Sequence, residues 1–364
     1  MAAAVPGGGM TLIDRYLVRT VLLHTLMVLA VLLALMSLVN FISHQDDIGE
    51  GTFDVTDAFF VTILFIPQQA YEMLPIAALI GAVIGLGGLA RDSELTVVRA
   101  AGVSVTRIAG STAIAGLVIA ALLWVIGEYF APPADQYARQ YKIFSRYSQL
   151  EFAGNRSAWV RQGTWFINVR QQAAENLFGG VFVYELDRER RLRLVGRAET
   201  AKQDSEGRWV LSNYGETVLE GDHVAARRSA LEVSKTEFNA DFLGLAVNEP
   251  GSLPLRDLYA YKEHLEENEQ DALAWEIAYW SRIARLFAAV VVCVFAVPFA
   301  FGPLRSAGAG SRTVLGIMAG VLFMLLTQTL ENSGQVYGIN PLVVAWGPVL
   351  LMSMIAAVAI WRSN

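Results

Sequence analysis

Six apolar stretches constrain this chain more than any other feature, because each reaches roughly the 20 residues that a helix needs to cross a bilayer, or exceeds them. They fall at Val21–Phe41, Phe59–Leu89, Ile108–Ala131, Ile277–Phe301, Thr313–Leu330 and Ile339–Trp361. Lipid offers no hydrogen bonds, so backbone groups must pair inside each segment and the runs fold as helices. The second run is long and contains Pro67 and Pro75, which predicts a kink or a tilt. Composition agrees: 54% of the 364 residues are hydrophobic and only 17% charged, with mean hydropathy +0.41. Soluble domains are less apolar than this. The expected fold class is an α-helical polytopic membrane protein with six transmembrane helices, three before and three after an inserted all-β domain.

The expected division is therefore residues 1–131, with helices 1–3; residues 132–276, the insert; and residues 277–364, with helices 4–6. Met1–Gly9 is small and Gly-rich and reads as a disordered lead. The first apolar run exceeds a signal-peptide core and has no clear small-residue cleavage site, so it reads as a retained helix. Arginines mark one side of the membrane. Arg15 and Arg19 precede the first span, Arg91, Arg99 and Arg107 lie between the second and third, and Arg305 and Arg312 lie between the fourth and fifth. Arg362 follows the sixth. The opposite loop, Ser43–Ala58, carries Asp46, Asp47, Glu50, Asp54 and Asp57 and no Lys or Arg. The positive-inside rule then places both termini and the 92–102 loop in the cytoplasm and the insert outside.

In the insert the hydrophobic period changes to two. Leu192, Leu194, Gly196 and Ala198 alternate with Arg193, Val195, Arg197 and Glu199, the pattern of a half-buried strand. Thr164–Arg170, Gly180–Leu186, Trp209–Leu211, Thr217–Leu219 and Leu231–Ser234 read as further strands, which predicts a sandwich or jelly roll. Pro132–Leu150 reads as a helical exit from the membrane, and the charged stretch Leu255–Asp271 as a helix leading back. Arg188, Arg190, Arg191 and Arg193 alternate with Asp187 and Glu189 and read as a solvated hairpin tip.

Several chemistries are missing. Cys293 is the only cysteine, so the chain forms no internal disulfide and no cysteine-rich metal site. His24, His44, His223 and His264 lack ligand spacing, and no P-loop, His-Glu-x-x-His or Gly-x-Ser-x-Gly sequence occurs. Glu72 and Glu128 fall within apolar spans, where a carboxylate is costly and is a functional candidate by default. Glu128 is near enough to the outer interface to reach water. Glu72 is mid-span and calls for a cavity or a packing partner.

Two charged segments remain. After Arg91-Asp92-Ser93 comes Glu94-Leu-Thr-Val-Val-Arg-Ala-Ala-Gly-Val-Ser104, in which Ser93 can cap a short helix and Gly102 can end it. Leu95, Val97, Val98 and Ala101 share one arc with Glu94 near its middle. Either this is a surface that docks on a cationic partner, or it is a connector whose Glu94 only complements the helix dipole. Beyond the third span, Arg139, Lys142 and Arg146 share one helix face, suited to phosphate at headgroup height or to plain snorkelling at the interface.

Ile13-Asp-Arg-Tyr16, Leu74-Pro-Ile-Ala-Ala-Leu-Ile-Gly-Ala82 and Ser93–Gly102 occur in an order that is specific, as do Gly127-Glu-Tyr-Phe-Ala-Pro132, Phe301-Gly-Pro-Leu-Arg-Ser306 and Val336-Tyr-Gly-Ile-Asn-Pro341. With these motifs the chain resembles the YjgP/YjgQ permease family over nearly its whole length. Gly127–Pro132 and Phe301–Ser306 are closer to one of that family's two sister branches than to the other. The resemblance implies a permease subunit of a lipopolysaccharide exporter in the bacterial inner membrane, with a jelly-roll domain in the periplasm. It implies a heterodimer with the sister permease LptF, two copies of the ATPase LptB, and LptC. The chain itself would be no enzyme and would bind no cofactor, with ATP and Mg held by the partner ATPase. Lipopolysaccharide would enter a cavity between the permeases from the outer leaflet and be pushed toward a periplasmic bridge.

The same resemblance implies that residues 92–102 form a coupling helix seated in a groove of LptB. Glu94 matches the family's acidic coupling residue, and Arg91, Leu95, Val98, Arg99 and Gly102 belong to the contact segment. Arg139 and Lys142 occupy positions where relatives contact lipid phosphates or inner core, and Arg146 extends that row. Asn40 and Gln68 stand where some relatives carry lysines, and Asp46-Asp47 where relatives can be basic. That shifts the phosphate role to Arg139, Lys142 and Arg146 or to the partner permease, or implies a less phosphorylated lipid. Phe41, Phe65, Ile66, Leu322 and Phe323 are expected to line the cavity. Two other readings are a membrane scaffold that tethers periplasmic partners without a lipid path, and an intramembrane enzyme using Glu72 and Glu128.

Overall fold

The structure, a computed structural model, describes residues 11–146, 158–162, 164–174, 177–187, 189, 191–203, 209–220, 223–233, 250–301 and 309–363. Met1–Gly9, Arg188, Arg190 and Arg305 lie outside them, as do all of Phe301–Ser306 but its first residue and the side chains of Arg146 and Arg312. Helices α1 (Leu12–Ser43), α2 (Val55–Arg91), α3 (Glu94–Ala100), α4 (Val105–Val125) and α5 (Ala131–Arg146) come first. Strands β1 (Ala158–Gln162), β2 (Trp165–Ala174), β3 (Leu177–Leu186), β4 (Leu192–Gln203), β5 (Trp209–Glu220) and β6 (His223–Val233) follow. Helices α6 (Leu255–Glu267), α7 (Leu273–Phe295), α8 (Val297–Phe301), α9 (Ala309–Tyr337) and α10 (Pro341–Ser363) complete the chain. Among the described residues six helical stretches are long and apolar enough to cross a membrane. The fifth runs on past its expected end at Leu330 through Glu331 to Tyr337, so Glu331 lies on a helix.

The chain divides into two compact units. One comprises residues 1–39, 66–131 and 279–364, and the other residues 40–65 and 132–278. The first unit is built around α2, which is apolar on every face and buried over most of its length. Val83, Leu86, Ala77, Ala78, Leu79 and Ala82 are almost completely enclosed. Small residues let the helices approach closely, as expected where lipid provides no hydrophobic drive for association. A Cβ on Gly81 would lie 2.4 Å from the Thr25 backbone nitrogen, and one on Gly116 would lie 2.6 Å from Val290 Cα. By contrast α1 and α9 expose much of their apolar surface, including Leu26, Met27, Met318 and Leu322, as surfaces facing lipid or another membrane subunit do.

Pro67 and Pro75 both lie inside the unbroken α2. A π-helical turn, Ile126–Phe130, joins α4 to α5, and the Ala131 N–H bonds back to the Ile126 carbonyl. The Gly127 carbonyl would then need the N–H of residue 132, which is a proline and has none. Arg282 Nη1 donates to that oxygen at 2.8 Å.

In the second unit the acidic segment after α1 folds back on a small core of Phe53, Ala58, Val61 and Ala138. Asp54 and Asp57 cap the start of α2 reciprocally: Asp54 N–H donates to Asp57 Oδ2 at 3.0 Å and Asp57 N–H to Asp54 Oδ1 at 2.9 Å. The six strands form one antiparallel sheet in sequence order, so the expected jelly-roll-like domain resolves to a consecutive meander among the described residues. The β4 alternation holds at Gly196 and Ala198, which are buried between exposed Arg197 and Glu199, whereas Leu192, expected inward, is exposed at the start of the strand. Trp209–Leu211 and Thr217–Leu219, expected as two strands, are one. Asn213 adopts φ 51 inside β5 and donates from Nδ2 to Glu199 Oε2 at 3.1 Å. The left-handed conformation that Asn tolerates is absorbed by the sheet here, not used for a turn. The expected strand at Leu231–Ser234 is the end of β6, and Ser234 lies outside the described residues.

On α6, Leu258, Tyr261 and Leu265 form the buried face. Tyr261 packs on Trp275 with ring centroids 4.3 Å apart, and burial pushes its hydroxyl up to about 12. Burial also lowers His264 below the ordinary imidazole range, against a smaller opposing pull from Glu267.

Candidate functional site

The short helix α3 arises because α2 ends at Arg91 and the chain turns through Ser93 at φ 64. Ser93 was expected to cap α3 with its side chain. In the left-handed conformation it makes no side-chain cap hydrogen bond, and its carbonyl instead accepts from Val97 N–H at 3.1 Å. The C-terminus behaves as expected. Gly102, at φ 91, donates its N–H to the Arg99 carbonyl at 2.9 Å, and Val103 N–H reaches the Val98 carbonyl at 3.3 Å. This pair of bonds is a Schellman motif, and its positive φ is the reason for glycine.

The expected apolar arc splits in two. Leu95 is only 2% exposed and Val98 packs against the same core, whereas Val97 is 68% exposed. Leu95 lies about 100° round the helix from Glu94, which is enough to turn it inward. Glu94, Val97 and Ala101 therefore share the outward face, one carboxylate beside small and branched apolar groups. Arg91 is exposed at the end of α2, and the Arg99 guanidinium lies 5.5 Å from the Phe301 ring centroid. Arg99, Leu95, Thr96, Ala90 and Phe301 line a cleft of about 380 Å³ beside α3. Glu94 Oε2 accepts a hydrogen bond from Tyr16 Oη at 2.8 Å.

The second unit brings Arg139, Lys142, Phe41 and Phe65 together, but both cations already have carboxylates. Arg139 is held bidentately by Asp135, Nε to Oδ2 at 2.8 Å and Nη2 to Oδ1 at 3.3 Å. Asp135 is 1% exposed, and the guanidinium carbon lies 5.9 Å from the Phe65 ring centroid. Lys142 Nζ is 2.6 Å from Asp47 Oδ2. The acidic loop after α1 is thus the loop that pairs with Lys142. Tyr141 Oη donates to Asp57 Oδ1 at 2.6 Å, a further tie between α5 and the same segment. Asn40 holds a buried side-chain oxygen with no hydrogen-bond partner among the described residues.

The remaining expected lining residues belong to the first unit. Gln68 Nε2 donates to Glu72 Oε1 at 2.8 Å, so Glu72 is an exposed mid-span carboxylate with a neighbour on its own helix. Ile66 is half-buried, Leu322 is 69% exposed and Phe323 is partly buried against Ala284 and Val349.

Sequence reasoning missed one membrane-embedded cluster. Arg282 and Arg285, one helical turn apart on α7, lie 4.9 and 5.0 Å from the centroid of the Tyr71 ring on α2. Arg285 also pairs with Glu331 of α9 at 4.0 Å. A Cβ on Gly127 would come within 2.4 Å of the Tyr71 ring, so glycine makes the ring's seat. The available signal was two arginines inside an apolar run, which is costly without partners. Among the described residues no group of His, Cys, Asp and Glu could hold a metal ion.

Comparison with known proteins gives one consistent picture. The sequence model of the family described as lipopolysaccharide export system permease LptF/LptG matches residues 15–362. The lipopolysaccharide export system permease protein LptG of Escherichia coli K12 is 31% identical over 351 residues, covering 96% of this chain and 97% of the relative. The protein of the same name from Haemophilus influenzae Rd is 29% identical over 350 residues, again with 96% and 97% covered.

Proposed function

Because the chain belongs to the LptF/LptG family of lipopolysaccharide export permeases, and is thus a multi-pass inner-membrane permease subunit and not an enzyme, we propose that α3 is the element through which a separate ATPase drives it. The observation that carries this is the outward face of α3, where exposed Glu94 stands beside exposed Val97 on a helix whose other face is anchored by Leu95. An apolar patch centred on a carboxylate fits a groove that offers a cation. The absence of a P-loop requires the nucleotide to be held elsewhere.

In this reading the arginine-bearing loops, both termini and α3 face the cytoplasm, and the sheet domain faces the periplasm. The ATPase is LptB, with its ATP and Mg. The sister permease is LptF, and LptC joins them. Lipopolysaccharide leaves the outer leaflet of the inner membrane, passes a cavity lined in part by Phe41, Phe65, Ile66, Leu322 and Phe323, and is handed to the periplasmic sheet domains. Arg139 and Lys142, with Arg146 next in the row read from the sequence, meet the lipid's phosphates. Asp135 and Asp47 hold the first two cations until a multiply charged headgroup competes for them.

Reconstituting the chain with its co-purifying partners and measuring lipopolysaccharide released per ATP tests this. Glu94→Lys places a cation against a cationic groove, so insertion and assembly should persist while release per ATP collapses. Normal transport by Glu94→Lys would overturn the reading.

A further inference from the structure

Glu94 is held from outside its own helix. Its partner, Tyr16, stands 78 positions earlier on the first turns of α1, and the Oη–Oε2 distance of 2.8 Å is that of a charge-assisted hydrogen bond. The donor is neutral. A lysine or arginine there would cancel the carboxylate's charge, whereas a phenol fixes its orientation and leaves the charge to attract a partner's cation. The tyrosine is itself well founded, because the adjacent Leu17 and Val18 are buried in the core that also takes Leu95.

The same end of α1 is fastened a second time. Asp14 Oδ1 accepts from Ser111 Oγ at 2.8 Å, and Asp14 Oδ2 accepts from Thr11 Oγ1 at 2.7 Å and from Arg107 Nη2 at 3.5 Å. Arg107 Nη2 also reaches Thr11 Oγ1 at 3.2 Å. Arg107 and Ser111 lie in the first two turns of α4, and Ser104 caps that helix by accepting from Arg107 N–H at 3.3 Å. One turn of α1 is therefore tied to α3 through Tyr16 and to α4 through Asp14.

We propose that Tyr16 is a positioning residue for energy coupling: it presents the Glu94 carboxylate to the ATPase partner and carries displacement of α3 into α1. This rests on the reading of α3 as the ATPase contact. It adds that the contact is built from two elements, and that α1, little buried along its length, moves with α3.

The test uses the full chain with its co-purifying ATPase and compares Tyr16→Phe, Glu94→Gln and the double variant for lipid released per ATP and for melting temperature. Phenylalanine keeps the ring and removes only the donor. Tyr16→Phe should lower release per ATP about two- to tenfold, the factor that one hydrogen bond represents, without lowering the melting temperature. The double variant should be no worse than Glu94→Gln alone, because Tyr16 acts through that carboxylate. Full coupling in Tyr16→Phe, or losses that multiply in the double variant, would overturn the proposal. Glu94→Gln and Glu94→Lys that both couple normally would instead defeat the ATPase-contact reading beneath it.

Discussion

Glu94 on α3 and Arg139 on α5 are both charged side chains beside apolar neighbours, and the protein treats them oppositely. Glu94 faces outward with one neutral donor on it, so its charge remains for another molecule. Arg139 is clasped by a buried carboxylate of its own helix, and Lys142 by Asp47. Where the partner is a protein surface, a fixed and uncompensated charge selects it through electrostatic complementarity. If Arg139 and Lys142 meet a lipid headgroup as proposed, their internal carboxylates would keep the cations ordered and desolvation tolerable between visits. The contrast separates a docking charge from a held charge.

The largest expected effect tests the inward and outward faces of α3. Leu95→Ala should cost about 2–5 kcal/mol of stability, measured by thermal unfolding of the purified protein, because it empties a core site. Val97→Ala should stay within about 0.5 kcal/mol and instead weaken co-purification of the ATPase. The same loss of stability in both variants would erase the distinction between faces. Next in size is Asp135→Asn. It removes the charge and replaces one of the two oxygens that accept from Arg139 with an amide donor, and should cost about 1–3 kcal/mol, while lipid crosslinking to a probe beside Arg139 rises. A fall in crosslinking would show that Asp135 aims Arg139 at the lipid and does not restrain it.

Asp47→Asn comes third. The pair is partly exposed, so its release should be worth at most about 1 kcal/mol, raising crosslinking to a probe beside Lys142 by about fivefold or less. No change would mean that Asp47 does not compete with phosphate. The smallest effect concerns His264, whose burial lowers its proton affinity in the folded state. Above its ordinary value near 6.5 both states are neutral and the residue imposes no penalty. As pH falls below that, the unfolded chain takes a proton that the folded helix resists, so stability declines. His264→Gln should flatten the melting-temperature profile between about pH 6.5 and 5. An unchanged slope would assign it to other groups.

Much of this was legible in the residues. The six spans follow from the length of the apolar runs, and the strand faces of β4 follow from a period of two. The end of α3 follows from Gly102. The misreadings have local causes. Ser93 has the composition of a cap but occupies a left-handed turn. Trp209–Leu211 and Thr217–Leu219 read as two strands because polar residues separate them, yet pairing with β4 and β6 runs through both. Leu95 and Val97 are equally apolar, and only packing against the core decides which of them faces in.

The sequence by itself determined the class of molecule, its six apolar spans, and the clustering of its arginines at one set of span ends. Those properties depend on hydrophobic period and charge count, which are local sums along the chain. Tertiary structure alone decided that Tyr16 meets Glu94, that Asp47 meets Lys142, and that Arg282 fills the carbonyl Pro132 leaves open. Each of these pairs joins positions far apart in sequence. A hydrogen bond or an ion pair depends on ångström distances that no spacing rule reaches, so the charges could be counted beforehand but their partners could not be named.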